Sequence, residues 1–175
     1  THGKKFAVIS KSSTIPIELY GSQYAVMCPA AHGWQKWLID LTSRVKEYGF
    51  DAVYHDQVST GRPILCYSKT HGHAAADPHC WVDGYNKIYT VLKNKYPALC
   101  HDSEENAEVY LKAMDGFVVW RWTFANQVPL FQSIYSGRVQ FTGRCFNHQK
   151  PGDKNSFFAK AAMQFINGEQ LGWFM

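Results

Sequence analysis

The stretch FDAVYHDQ, residues 50–57, decides the fold. Its apolar part alternates in steps of two, which predicts a strand from about Phe50 to His55 with Ala52, Tyr54 and Asp56 on one face. The run ends in a carboxylate and passes straight into a loop holding Thr60, Gly61 and Pro63. In a parallel α/β fold the loops leaving the carboxyl ends of the strands build the site, so Asp56 is expected to top an inward stack and to look into the mouth of the sheet. The competing reading of Asp56 is a carboxylate that caps the turn before Gly61.

Outward from this strand the chain alternates apolar runs with helical periodicity. Upstream, YAVMC (24–28) reads as a buried strand halted by Pro29. In HGWQKWLIDLTSRVKEYG (32–49), Trp34, Trp37, Leu38, Leu41, Val45 and Tyr48 recur at three and four, and Gly49 stops the helix. Downstream, residues 57–80 form a loop rich in Ser, Gly, Pro, His and Thr, longer than idle connectors usually are. A helix follows from Trp81 to Lys95, with Tyr85, Ile88, Tyr89 and Leu92 on one face, then a short strand PALCH (97–101). DSEENAEVYLKAM (102–114) is expected to be a helix capped by Asp102 or Ser103, and DGFVVWRW (115–122) a strand. PLFQSIYS (129–136) is read as a strand, 155–170 as a helix stopped near Gly168, and LGWF (171–174) as a last strand.

About five β-α repeats with apolar strands predict a parallel sheet covered by helices. No glycine-rich phosphate turn follows any strand, which disfavours a nucleotide-binding open sheet. Because a closed barrel needs roughly 250 residues, the 175-residue chain is expected to be the C-terminal part of a (β/α)₈ TIM barrel, a single domain over 1–175 without an internal linker. Such a piece expressed alone is expected to expose unpaired strand edges and to associate.

Composition narrows the function. A net charge of +4, spread without a dense basic block, gives no reason to expect nucleic acid. No run approaches the ~18 apolar residues of a membrane helix, so no membrane partner is expected. The start THGKKF lacks an initiator Met and an apolar signal region and is read as following an upstream part of a longer chain. Five widely spaced cysteines with no C-x-x-C are read as buried free thiols, and no metal site or cofactor is assigned. Aromatic residues make up 15% of the chain, a content suited to stacking on sugar rings.

A second carboxylate comes from the next unit. Glu105 is accounted for as the far member of a capping box with Asp102, and Glu108 as a partner of Lys112. Glu104 has no such local task and is the candidate. Carboxylates at neighbouring strand tips can face one reacting atom from two sides, the geometry of glycosidic cleavage. Asp56 is therefore assigned as nucleophile and Glu104 as acid/base, with Tyr54, His55, Gln57, His71, His73, Arg121 and Trp122 as substrate-binding residues around a carbohydrate. Two alternatives are a non-catalytic carbohydrate-binding barrel and a metal-dependent hydrolase built on His55, Asp56, His71 and His73.

The series MCPA (27–30), GFDAVYHDQ (49–57), SEENAEVYL (103–111), MDGFVVWRW (114–122) and PLFQSIYSG (129–137) resembles the catalytic barrel of a glycoside-hydrolase-like domain family of unknown function. That family is distantly similar to endo-α-N-acetylgalactosaminidases and α-amylase-type barrels. The resemblance implies that 24–173 spans the third to eighth barrel strands, the fourth strand giving the nucleophile (Asp56) and the fifth the acid/base (Glu104). It implies cleavage of an α-linked glycan with retention, and further barrel strands and auxiliary β-domains on the same polypeptide. By analogy alone it favours a secreted or periplasmic setting. Where the family pattern has a Gly after the first Glu, this chain has Glu105.

Overall fold

A computed structural model describes residues 2–119, 127–143 and 154–172 of the chain. It contains two compact units: Thr1–Asp51 with Arg62–Leu99, and Ala52–Gly61 with Cys100–Met175.

In the first unit a 3₁₀ turn, His2–Phe6, leads to strands β1 (Ile17–Leu19) and β2 (Gln23–Ala25), then helices α1 (His32–Glu47) and α2 (Cys80–Lys95). The expected strand 24–28 is a different object. β2 pairs antiparallel with β1, and Met27 forms an antiparallel bridge with Ala7. Apolarity alone does not distinguish a parallel core strand from a short antiparallel ribbon. The core of this unit is Val8, Val26, Cys28, Ala31, Cys66 and Trp81, with Trp34 and Tyr85 packed against it.

The two helices are where periodicity places them, yet only α2 buries the expected face: Ile88, Tyr89 and Leu92. α1 buries Gln35, Thr42 and Ser43 and leaves Trp37, Leu41 and Tyr48 at 51%, 42% and 79% exposure. α2 also approaches the backbone ahead of α1 very closely. A β-carbon at Gly84 would lie 2.5 Å from the Pro29 carbonyl carbon and 2.7 Å from the Ala30 nitrogen. Backbone cannot swing aside as a side-chain tip does, so Gly84→Ala is expected to destabilise by about 1–3 kcal/mol. An unchanged urea midpoint would refute this close approach.

The second unit carries a four-stranded sheet, β3 (Ala52–His55), β4 (Cys100–Glu104), β5 (Gly116–Val119) and β6 (Gln140–Gly143), all parallel and in sequence order. Helices α3 (Leu130–Tyr135) and α4 (Lys154–Ile166) complete it. One face of the sheet is covered: Phe131 of α3 packs edge-on against Phe117 and Phe141, and a β-carbon at Gly143 would collide with Gln164 of α4. The strand period of two then puts Tyr54, Asp102, Glu104, Gly116, Val118 and Thr142 on the opposite face.

Two expectations are corrected. Residues 102–114 are no helix. The strand runs through Glu104 and only Glu108–Tyr110 makes a 3₁₀ turn, because pairing with β3 and β5 overrides local helix preference. The capping box falls with it: the Asp102 carboxylate accepts the Ser103 N–H, and the Glu105 N–H donates to the Val118 carbonyl. Glu108 accepts a hydrogen bond from the Tyr135 hydroxyl. The other correction is PLFQSIYS, which is α3 rather than a strand. Pro129 stands at its start and Ser133 Oγ donates back to the Pro129 carbonyl. The strand β6 that follows was not anticipated. Of the expected last strand 171–174, Leu171 and Gly172 are in no strand and residues 173–174 lie outside the described residues; the parallel bridge to Thr142 is made by Gln170, just before it.

Candidate active site and a cysteine-histidine cluster

β3 and β4 are in register up to His55 opposite Ser103, the residues immediately before Asp56 and Glu104. Glu104 follows the parity of Asp102, on the sheet face opposite α3 and α4, and Asp56 follows the end of β3. Asp56 is exposed and begins a turn, its Oδ1 accepting from the Tyr54 hydroxyl at 3.3 Å. Glu104 is buried. The turn is tied down by Ser103: its fully buried hydroxyl donates to the His55 carbonyl at 2.7 Å and accepts the Ser59 N–H at 3.2 Å. One side chain of β4 thereby fixes the loop that carries Asp56.

The other assigned residues divide. Tyr54 shares the sheet face of Glu104, and Gln57 follows Asp56 in the left-handed region at φ 62°. His55 points to the opposite face, where its Nε2 lies 3.0 Å from Nδ1 of the fully buried His101. Burial, reinforced by His101, pulls the His55 pKa down to about 3, so the ring is neutral. Arg121 and Trp122 lie outside the described residues. His71 and His73 belong to the first unit.

Two carboxylates were passed over. Asp102 lies on the same sheet face two residues before Glu104, and desolvation, with Asp115 adding repulsion, pushes it up to about 6 against the pull of the Ser103 N–H. Glu105 is buried at φ 62°. Glycine adopts this conformation freely, whereas a side chain strains it. A cleft of about 450 Å³ is lined by Asn106 and Glu108 after β4, by Val128 after β5, and by Phe131 and Tyr135 of α3. In it Asn106 Oδ1 is buried without a hydrogen-bond partner among the described residues.

The first unit holds a group that no spacing rule detects. Cys28, Cys66, His71 and His73 each offer one ligand atom, and the four atoms lie within 4.8 Å of one another. This set shares only its two histidines with the metal-hydrolase alternative; Cys28, Cys66 and Cys80 are buried free thiols as read, whereas Cys100 is exposed. Sequence rules look for ligands a few residues apart, and here the fold brings them together. Burial pushes the Cys28 thiol up to about 12, and it pulls His71 below the ordinary imidazole value.

Comparison with known proteins agrees with the architecture. A Monosiga brevicollis protein named "Putative glycoside hydrolase 22789" is 30% identical over 168 residues, covering 90% of this chain and 14% of its own length. A Bacteroides thetaiotaomicron protein of the same kind of name is 29% identical over 180 residues, covering 98% of this chain and 27% of its own. The chain thus spans only a seventh to about a quarter of these relatives. Among solved structures, an α-galactosidase of Thermus thermophilus superposes with a TM-score of 0.64 at 10% identity, covering 98% of this chain and 41% of that one. An α-N-acetylgalactosaminidase of Bifidobacterium bifidum does so with a TM-score of 0.65 at 12% identity, covering 94% and 32%. At these identities the likeness is one of fold, an α/β architecture with a parallel sheet and helices. Residues 1–148 match a single domain family, and the chain belongs to it: the Domain of unknown function family DUF6259.

Proposed function

We propose that residues 1–175 are one domain, the third to eighth strands of a (β/α)₈ barrel, and that the parent protein cleaves an α-linked glycan with retention of configuration. Asp56 is the nucleophile and Glu104 the acid/base; the remaining strands and auxiliary domains come from the same polypeptide. The observation that supports this reading is the register of β3 and β4, whose last pair, His55 opposite Ser103, stands immediately before Asp56 and Glu104. Sequential parallel order without a reversal supports a barrel over a doubly wound sheet, whose ligand site needs a switch in strand order. The short coverage of the relatives supports a longer parent.

In the proposed reaction the buried Glu104 protonates the leaving oxygen as Asp56 attacks the anomeric carbon. Glu104 then takes a proton from the water that releases the sugar from Asp56. Retention asks for carboxyl groups about 5 to 5.5 Å apart. The test uses the full-length protein on α-galactosides and N-acetyl-α-galactosaminides, the substrates named for the two structural neighbours. Glu104→Gln is expected to lower kcat/KM on an alkyl glycoside by about 10²–10⁴. An aryl glycoside, whose leaving group needs no proton, should lose far less in the first step. NMR of the first product should reveal the α-anomer. A β-anomer would replace retention by inversion, and equal losses on both leaving groups would remove Glu104 as acid.

A further inference from the structure

We propose that Cys28, Cys66, His71 and His73 are the four ligands of a structural zinc ion in the first unit.

The pairing of donors is the first argument. His73 Nε2 lies 3.5 Å from Cys28 Sγ, and His71 Nδ1 lies 3.5 Å from Cys66 Sγ. A tetrahedral zinc with Zn–S near 2.3 Å and Zn–N near 2.0–2.1 Å has a sulfur-to-nitrogen edge of about 3.5 Å. The thiols and imidazoles are thus already spaced as two edges of such a tetrahedron.

Tautomers provide the second. His71 Nε2 is 2.9 Å from the Lys5 carbonyl, and His73 Nδ1 is 2.7 Å from the Ala74 carbonyl. A carbonyl only accepts, so each of these nitrogens carries the ring proton. Each opposite nitrogen, the one facing a thiol, presents a lone pair. This is the arrangement by which outer hydrogen bonds orient metal-binding histidines. Two cysteines serving merely as small apolar core residues would need neither of these orientations.

Backbone geometry brings the histidines to one point. Gly72 between them has φ 85°, a conformation that favours glycine and lets both neighbours turn to the same side. The Cys66 segment is held by Tyr67 N–H to the Ile9 carbonyl and by Ala76 N–H to the Cys66 carbonyl, while Cys28 N–H donates to the Phe6 carbonyl. Cys28, Cys66 and His71 are buried, so all four positions come from protein and no open position is left for a substrate. A soft S₂N₂ tetrahedron selects zinc among common divalent ions, and the site is structural rather than catalytic. It staples the long loop to the segment after β2.

The proposal stands or falls separately from the glycosidase reading, because its readout is metal content. Full-length protein purified without a metal-affinity tag should hold one zinc per chain by elemental analysis. Cobalt exchange should give the intense visible bands of a tetrahedral thiolate site. Cys66→Ser and His73→Ala should lose the ion, while Cys80→Ser, a buried thiol outside the set, should keep it. Should a ligand variant fail to fold, thiol titration of the wild type decides: Cys28 and Cys66 react only after a chelator is added. Absence of zinc after dialysis against it, an octahedral cobalt spectrum, or a Cys28–Cys66 disulfide would each overturn the proposal.

Discussion

Asp56→Asn in the full-length protein is expected to lower kcat/KM for α-glycoside hydrolysis by about 10³ or more, close to 4 kcal/mol of transition-state stabilisation. The effect should appear on aryl and alkyl glycosides alike, because a nucleophile is needed whatever the leaving group. That separates it from the leaving-group dependence proposed for Glu104. A smaller variant, Asp56→Ala, opens space for an external anion. With azide it should regain turnover on an aryl α-glycoside and release the β-glycosyl azide, since azide attacks from the side the carboxylate occupied. A fluorinated sugar that slows deglycosylation should leave its mass on the peptide containing Asp56 in the wild type. Wild-type turnover by Asp56→Asn, or label on a different carboxylate, would remove Asp56 from the mechanism. If sugar still binds and no variant changes cleavage, the carbohydrate-binding reading gains.

What the sequence revealed and what it hid follow one division. A clear period shows in the sequence: α2 buries Ile88, Tyr89 and Leu92, and the alternating run before Asp56 is β3, although its partner β4 is distant in the chain. Where distant pairing opposes the local pattern, the local pattern misleads. The acidic run after Cys100 has the local marks of a helix start, yet Ser103 and Glu104 pair with β3 and β5 and stay extended. Glu105 then leaves the strand in the left-handed region, at φ 62°. The stripe of α1 was legible and still misleading, because a periodic apolar face does not say what covers it: Gln35, Thr42 and Ser43 are inside while Trp37 and Tyr48 stay exposed. That Asp56 and Glu104 follow the ends of two neighbouring strands, β3 and β4, is as the strand order suggests. The cysteine-histidine cluster was not legible, since Cys28 and Cys66 are far apart in sequence and only the fold makes them neighbours.

Acid should unsettle the second unit through one histidine, and the size of the effect can be isolated. His55 falls to about 3 from 6.5 because burial, and the adjacent His101, penalise its charged form. The unfolded chain therefore binds a proton more readily between these values. The stability linked to the neutral ring is complete above pH 6.5 and is lost as pH falls toward 3. Between pH 7 and 4 this removes about 3 kcal/mol. Asp102 acts in the other direction. Raised to about 6 from 3.8, it contributes stability that is complete below 3.8 and lost as pH rises through 6, so acidification returns about 2 kcal/mol. The two nearly cancel in the wild type, and single substitutions separate them. Asp102→Asn should lose about 3 kcal/mol between pH 7 and 4, against about 1 kcal/mol for these two groups in the wild type. His55→Gln, which retains a neutral polar group beside His101, should resist acid better than the wild type over the same range. Urea denaturation of the full-length protein at pH 7, 5.5 and 4 measures both differences, with other carboxylates contributing equally to each variant. Parallel pH curves for the wild type, Asp102→Asn and His55→Gln would mean that neither group titrates differently on folding, and the neutral His55 ring would have to be abandoned.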